Sequence, residues 1–427
     1  MNSVAIAAIV LLICFLIKVP VFISIIIGSM TYFTLMPNVA MQIAVQRFTS
    51  GIESIPLLAV PFFICAGVFM NYCGVTSRIM RFCTVLTGRM SGGLAQVNIL
   101  LSTLMGGLCG SNIADAAMEA KILVPEMEKQ GLPKDFSTVV TAFSAVITPL
   151  IPPGIGMILY GALAGVSVGK LFICGISVGL ITCAILMILT AVISKRKGYR
   201  PCRTEKVTPK EFFSALKSAF LPLCLPIIII GGIRIGIFTP TEAGAVAVVY
   251  AIILGLIYGE LKRKDFFSAI KETLISVGTI YLIVGAASVF AWILTKEQVP
   301  QHIASWMTVA VPNKFVFLIV VNIFLIIAGM FMEAVALLIL IVPLLAPIVT
   351  AFGIDPIQFA FIVLFNLSIG SITPPMGILM FVTCGITGCK TKDFLRASVP
   401  YFGVFFLILL IITFIPVATT GILQIFY

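Results

Sequence analysis

The sequence predicts an all-α, polytopic membrane protein made of two inverted repeats, each with five membrane spans and one re-entrant hairpin. Composition, the placement of basic residues and an internal repeat support this prediction. Hydrophobic residues fill 60% of the 427 positions and charged residues only 10%, with a mean hydropathy of +1.20. These values are typical of helical membrane proteins and exclude a chain organised around a soluble core.

The chain begins with two short apolar runs, 4–17 and 21–36, separated by Lys18 and Pro20. The first run lacks the basic start of a signal peptide, so both runs are interpreted as membrane spans. The next apolar stretch, 47–67, contains two prolines and predicts a kinked helix. These segments supply the first three spans of the first repeat.

Basic residues cluster in short loops and so predict the orientation of the chain in the membrane. If the strongest cluster, 195–217, is cytoplasmic and the sides alternate, 21 Lys and Arg fall on the cytoplasmic side and five on the other side, with Lys121 inside the membrane. This bias follows the positive-inside rule and places the N-terminus in the periplasm. The net charge of +11 therefore reports topology. It does not indicate a nucleic-acid partner.

Two apolar stretches, 94–127 and 317–349, are interrupted near their middles by GGLCGSN and GMFME. Each arm has about 15 residues, or roughly 22 Å of helix, against about 30 Å of hydrocarbon. Neither arm is expected to span alone, so both stretches are predicted to be hairpins whose tips stop near the midplane. Such tips need protein or a watery cavity around their loose backbone.

An internal repeat relates the two halves. When the chain is aligned with itself so that Gly107 falls on Gly329, seven Gly, Pro, Lys and Phe positions coincide. Five crossings separate equivalent points, and this odd number makes the repeats inverted. The predicted organisation is a first repeat at 1–194 with its hairpin at about 94–128 and broken helix at about 136–165, a cytoplasmic linker at 195–212, and a second repeat at 213–427 with its hairpin at about 315–349 and broken helix at about 357–387.

The span after each hairpin contains two adjacent prolines that predict a break in the helix. Secondary transporters bind sodium at such broken helices through freed carbonyl and hydroxyl oxygens, and half-helix N-termini favour anions. We therefore expect two pseudo-symmetric sodium sites beside a carboxylate site. The predicted sodium ligands are Ser111, Asn112, Asp115, Thr148, Pro149, Glu333, Gly370, Ser371 and Thr373. The predicted substrate-binding residues are Gly110, Ser111, Pro152, Pro153, Gly329, Pro374 and Pro375.

Ionisable residues inside a membrane are functional by default, but structural roles remain open here. The hydroxyls of Ser111 and Ser371 can bond back to a helix carbonyl, and Asn112 can cap a helix. Asp115 and Glu119 share a helix face, where two ionised carboxylates repel unless a cation, a proton or Lys121 intervenes. Glu119 has the alternative of facing water near the cytoplasmic mouth.

Other polar features favour structural interpretations. The eleven cysteines are scattered with no CxxC pair, which indicates free buried thiols, and no metal other than sodium and no cofactor is expected. Arg234 and Glu242 bracket a short external turn and predict an ion pair. The one histidine, His302, is predicted in an outer loop, and the chain has no HExxH motif, so an enzyme is not expected.

Five ordered motifs resemble the large membrane subunit of tripartite ATP-independent periplasmic (TRAP) transporters, which belong to the ion transporter superfamily. They are GRMSGG at 88–93, GSNIADAAMEAKILVPEM at 110–127, TPLIPPGIGMILYG at 148–161, FTPTEAGAVAVVYA at 238–251 and GSITPPMGILMFVT at 370–383. The resemblance covers essentially the whole chain. Asn112 stands where the family usually has a small residue, and Glu119 with Lys121 replaces a run that is usually uncharged.

The resemblance implies a sodium-driven, elevator-type transporter of organic acids in the bacterial inner membrane. It also implies two protein partners, a soluble periplasmic binding protein that delivers the substrate and a small four-helix membrane subunit. The acid is not specified, and sialic acid and C4-dicarboxylates both stay open. A self-sufficient divalent-anion/sodium symporter, which works without a binding protein, is the alternative because it shares inverted repeats and hairpins.

Overall fold

The computed structural model describes residues 3–17, 19–310 and 313–426, and the regular structure in these ranges is helical without strands. The helices of the first half are α1 (Ser3–Leu16), α2 (Val21–Leu35), α3 (Gln42–Ile52), α4 (Ala59–Tyr72), α5 (Val75–Thr87), α6 (Gly93–Cys109), α7 (Asn112–Lys129), α8 (Lys134–Ser144), α9 (Ile155–Ala164) and α10 (Val168–Lys197). Lys18, which was counted among the cytoplasmic basic residues, lies outside the described ranges.

The second half contains eleven helices within the described residues. Its helices are α11 (Pro209–Ile235), α12 (Pro240–Tyr258), α13 (Arg263–Lys296), α14 (Val299–Ala310), α15 (Lys314–Phe331), α16 (Ala334–Ala351), α17 (Pro356–Gly370), α18 (Ile378–Thr387), α19 (Thr391–Phe414), α20 (Val417–Thr420) and α21 (Leu423–Phe426). Among the described residues, eight helices are long and apolar enough to cross a membrane, or nine if one bent pair counts as a span. The polytopic helical fold predicted from composition is confirmed.

A helix–turn–helix unit lies at each predicted hairpin. In the first unit α6 ends at Cys109 and α7 begins at Asn112. Gly110 caps α6, and its φ of +64° suits a residue without a side chain. In the second unit only Met332 and Glu333 separate α15 from α16. The arms α15 and α16 have 18 residues each, more than expected, and each passes as a span by length and apolarity. The prediction that neither arm is long enough to span the membrane is therefore wrong for this unit. The re-entrant course of the unit stays a prediction.

The span after each hairpin is broken where the adjacent prolines predict. After α8, a 3₁₀ turn at Thr148–Leu150 precedes α9, and the two segments bend by 43°. In the second half α17 ends at Gly370 and α18 begins at Ile378, so the residues between them leave the helix. The peptide bond between the paired prolines is cis in both breaks.

Three amphipathic helices are not predicted as such from the sequence. The predicted kinked helix at 47–67 is instead two helices, α3 and α4, separated by a 3₁₀ turn. The basic loop that contains Arg78 forms α5, and the outer loop that contains His302 forms part of α14. Polar residues on one face of a short helix resemble a polar loop when only the mean hydropathy is considered.

The loop that joins the halves is anchored to the start of the first hairpin. The backbone amides of Cys202 and Arg203 donate to the carbonyl of Gly88, and Arg203 forms an ion pair with Glu211 at 2.6 Å. These contacts tie the loop to the residues that precede α6. The predicted ion pair between Arg234 and Glu242 does not form, because Arg234 donates to the carbonyl of Phe426 and Glu242 completes a capping box with Thr239.

Candidate cation and substrate site

The first hairpin meets the broken helix through a buried acid. The Thr148 hydroxyl donates to Oδ2 of Asp115 at 2.6 Å, and the side chains of both residues are buried. The backbone of α6 packs closely against the broken helix at this point. A methyl group at Gly106 would lie only 2.9 Å from the carbonyl oxygen of Thr148. Two predicted sodium ligands from different segments of the chain therefore touch. The other oxygen of Asp115, Oδ1, has no hydrogen-bond partner.

The tip of the first hairpin is closed by Ser111. Its hydroxyl accepts from the amide of Ala114 at 3.4 Å and so caps α7, while Asn112 is the first helical residue. The sequence suggests Asn112 as a helix cap, but Ser111 is the residue that caps α7. The prolines of the break also face this tip, because methyl groups at Gly107 and Gly110 would lie 3.1 and 3.3 Å from the carbonyl oxygens of Pro152 and Pro153.

The second hairpin meets its broken helix through direct backbone contact at the tip. A methyl group at Gly370 would lie 2.7 Å from Cα of Gly329, so the α15 and α17 backbones touch where neither has a side chain. Glu333 caps α16 by accepting from the amide of Ala336 at 3.0 Å. The hydroxyls of Ser371 and Thr373 donate back to carbonyls of α17, at 2.6 and 2.7 Å. For Ser371 this is the structural alternative expected from the sequence.

A cavity of about 420 Å³ lies between the two tips and helices α4 and α13. Gly110, Ser111 and Asn112 line it from the first hairpin, Pro149 from the first break, and Glu333 from the second hairpin. The remaining polar lining residues are Asn71, Glu272, Ser276, Thr279 and Ser368. No Lys, Arg or His is among the described residues that line this cavity.

The other predicted site residues lie away from the cavity surface. They are Asp115, Thr148, Pro152, Pro153, Gly329, Gly370, Ser371, Thr373, Pro374 and Pro375. Most of them lie in the two junctions between hairpin and break behind the tips. The structure thus separates an open cavity from two buried junctions, a distinction that the sequence does not make.

The sequence does not predict the contacts of two groups of buried polar residues. In the first half Glu119 is fully buried and accepts from the Ser102 hydroxyl at 2.7 Å, so the alternative that it faces water is wrong. In the second half the Asn366 amide donates to Oδ1 of Asn322 at 2.6 Å. The signals were single polar residues in apolar runs, but nothing in the spacing of Asn322 and Asn366 indicates that they meet.

The hydrolase motif GxSxG occurs twice, at 165–169 and 175–179, although its structural context is missing. A nucleophile elbow requires a sharp turn between a strand and a helix. Ser167 instead caps α10, and Ser177 lies within that helix and donates to the carbonyl of Ala418. Neither serine is held as a nucleophile.

Comparison with known proteins places this geometry in one family. The family model described as tripartite ATP-independent periplasmic transporter, DctM component, matches residues 8–418. The sialic acid TRAP transporter large permease SiaM of Vibrio cholerae is 37% identical over 398 residues, which cover 93% of each chain. The C4-dicarboxylate permease DctM of Pseudomonas aeruginosa is 35% identical and covers 91% of each chain.

One relative and one solved structure add to this comparison. The sialic acid permease SiaT of Haemophilus influenzae is 36% identical over 97% of this chain but only 67% of its own length. The crystal structure of the YdaH transporter of Alcanivorax borkumensis superposes with a TM-score of 0.61 over 87% of each chain at 14% sequence identity. At that identity the likeness concerns the fold alone.

Proposed function

The chain belongs to the large permease family of TRAP transporters, and from that premise we propose that it imports an organic acid with sodium by an elevator mechanism. Family membership supports secondary transport by a multi-pass membrane protein that works with a small membrane subunit and a periplasmic binding protein. Sodium coupling, the moving hairpins and the bacterial inner membrane with a periplasmic N-terminus are our proposals for this chain.

The proposal rests on the charge of the side chains that line the cavity. An acid bound between the tips meets the carboxylates of Glu272 and Glu333 and no basic side chain among the described lining residues. A buried carboxylate without a compensating charge is costly. The N-terminus of α7 offers amide hydrogens and a positive dipole end, which supplies only part of the compensation. Cations bound beside the cavity would supply the rest, and this makes binding of the acid depend on sodium.

The two junctions are the proposed places for these cations. The first contains Asp115 and Thr148 directly behind Ser111, and Oδ1 of Asp115 is buried without a partner. The second contains the freed backbone after Gly370 together with Ser371 and Thr373. Carboxylate, hydroxyl and carbonyl oxygens suit a hard cation such as sodium. Occupied junctions would hold each tip against its broken helix and so order the cavity for the acid.

The cavity wall is shared between elements that we assign to different bodies. The hairpins and broken helices form the proposed moving body, while α4 and α13 belong to the scaffold. Moving a cation-loaded, nearly neutral site across the apolar interior of the membrane costs less than moving a bare carboxylate. The membrane potential adds about 2.3 kcal/mol per charge per 100 mV to the inward direction.

The substrates of the relatives suggest the class of acid. SiaM is named for sialic acid and DctM for C4-dicarboxylates. We propose a carboxylate of this size range, selected mainly by the binding protein. The self-sufficient divalent-anion symporter remains the rival, since it would share inverted repeats and hairpins.

The test is uptake of labelled sialic acid and of labelled succinate into proteoliposomes that contain the permease and its small subunit. We expect uptake of one of them only when an inward sodium gradient and the binding protein are both present. Uptake without the binding protein would support the rival symporter. Equal uptake with a potassium gradient would overturn sodium coupling.

A further inference from the structure

The first half contains a second buried acid that the proposed junction site does not use. Glu119 lies one helical turn beyond Asp115 on α7 and is fully buried. Its Oε2 accepts from the Ser102 hydroxyl at 2.7 Å and lies 3.5 Å from the Ser144 hydroxyl, while Oε1 has no partner. Lys121 is exposed, so it does not neutralise the buried charge of Asp115 and Glu119.

A third buried acceptor independently points to the same place. Asn98 is fully buried, and its amide nitrogen donates to Thr141 at 2.8 Å and lies 3.4 Å from the Ser144 hydroxyl. Its Oδ1 has no hydrogen-bond partner. Exchange of the amide oxygen and nitrogen would turn this oxygen toward Thr141 and Ser144, which the nitrogen now contacts. Asn98 adds an oxygen that carries no charge of its own.

The hydroxyl groups that contact the two carboxylates are neutral and cannot compensate their charge. Ser102 has a single hydroxyl hydrogen, which Glu119 accepts, and the Thr148 hydrogen goes to Asp115. The ion pairs among the described residues involve neither Asp115 nor Glu119. Two carboxylates in one dry interior with three unpartnered oxygens leave uncompensated negative charge, which proteins avoid. What is missing is a positive charge.

We propose that Glu119, Ser102, Ser144 and Asn98 form an additional sodium site, distinct from the junction site at Asp115 and Thr148. The oxygens are hard ligands of the carboxylate, hydroxyl and amide type, and they come from α6, α7 and α8. With one sodium at each carboxylate, the interior of the first half is neutral. The inference rests on the proposed sodium coupling and deepens it by adding one coupling ion.

The additional site has no counterpart in the second half. The internal alignment that pairs Gly107 with Gly329 places Ile341 opposite Glu119 and Phe324 opposite Ser102. An apolar residue at the position of Glu119 is therefore already accommodated in the same fold. Glu119→Leu is on this ground the variant that removes the site with the least disturbance.

The experiment is equilibrium binding of radioactive sodium to the purified permease with its small subunit, in wild type, Glu119→Leu and Asn98→Leu. We expect Glu119→Leu to bind one sodium ion fewer per permease than wild type, with binding at the remaining sites retained. Asn98→Leu is expected to weaken the same ion about tenfold. An unchanged number of ions in Glu119→Leu, with wild type binding sodium, would overturn the additional site alone. Absence of sodium binding in wild type would instead overturn the proposed coupling.

Thermal unfolding guards against a variant that fails to fold. Without sodium, Glu119→Leu is expected to melt at a higher temperature than wild type, because it removes an unpaired buried charge. Sodium raises the melting temperature of any protein that binds it only when folded, so wild type should gain more from sodium than the variant. A protonated Glu119 would instead give equal sodium gains in the two proteins and would contradict the proposal.

Discussion

In the first half the hairpin meets the broken helix through side chains, with Asp115 against Thr148, whereas in the second half the backbones of Gly329 and Gly370 touch directly. The internal alignment of the two halves makes Thr148 equivalent to Gly370 and Asp115 equivalent to Leu337. The two halves thus use one arrangement of helices with different chemistry. A charged interior lies behind the first tip and an apolar, close-packed contact behind the second.

This difference predicts different roles for the two junctions. The first junction contains a carboxylate, Asp115, while the second offers the oxygens of its unwound backbone, Ser371 and Thr373, with the Glu333 carboxylate at its tip. Neutral amides fill the neighbouring interior of the second half, where Asn322 and Asn366 bond to each other. We therefore expect loss of charge in the first half to weaken sodium binding most, and substitutions at the contact between Gly329 and Gly370 to act through packing.

The largest effect is expected where the backbones touch. Gly370→Ala forces a methyl group to within 2.7 Å of Gly329, and overpacking of this kind costs about 1–3 kcal/mol. Uptake in proteoliposomes should fall more than about tenfold because the second tip is displaced from its broken helix. Gly385→Ala in α18 is the matched control, since an added methyl there has no neighbour within 4 Å. Equal uptake in both variants would show that the close contact is not required.

A smaller effect is expected from removing charge at the two tips. Asp115→Asn keeps an oxygen for the Thr148 hydroxyl but loses the negative charge, so the sodium concentration for half-maximal uptake should rise about tenfold, or about 1.4 kcal/mol. Glu333→Gln should change it less, since the Glu333 carboxylate is engaged in capping α16. The measurement is sodium dependence of uptake at saturating substrate. A larger shift in Glu333→Gln would reverse the assignment of the two halves.

The smallest effect on transport is expected from the amide pair. Asn366→Leu leaves the buried Oδ1 of Asn322 without its partner, a loss that costs about 1–3 kcal/mol of stability. The denaturation midpoint should fall while the sodium dependence of uptake stays that of wild type. A shift in sodium dependence without loss of stability would make this pair part of a cation site.

The backbone plan could be predicted because glycine and proline act locally. The break before Pro152 and Pro153 follows from the missing donor and the clash of the ring, whatever the tertiary structure. The turn at Gly110 follows similarly from an interruption in an apolar run. These signals repeat at a fixed offset, which places both hairpins and both breaks before any contact is known.

The side-chain partners could not be predicted, because they depend on packing between distant helices. Glu119 is buried against Ser102 of α6 and Ser144 of α8. Lys121, two residues later in the same helix, is exposed. Helical spacing predicts that Asp115 and Glu119 lie on one face of the helix. It does not predict which residues of the neighbouring helices contact that face. For the same reason the hydroxyls of Ser111 and Ser371, treated alike from the sequence, have different roles.

The central claim is that the meeting of hairpin and broken helix in the first half holds sodium. Equilibrium binding of radioactive sodium to the purified permease tests it directly when Thr148→Val is compared with Thr182→Val, a buried threonine of α10 that bonds only within its own helix. We predict saturable binding in wild type and in Thr182→Val, and at least tenfold weaker binding of one ion in Thr148→Val. Identical sodium binding in the three proteins, or none in wild type, would contradict the account.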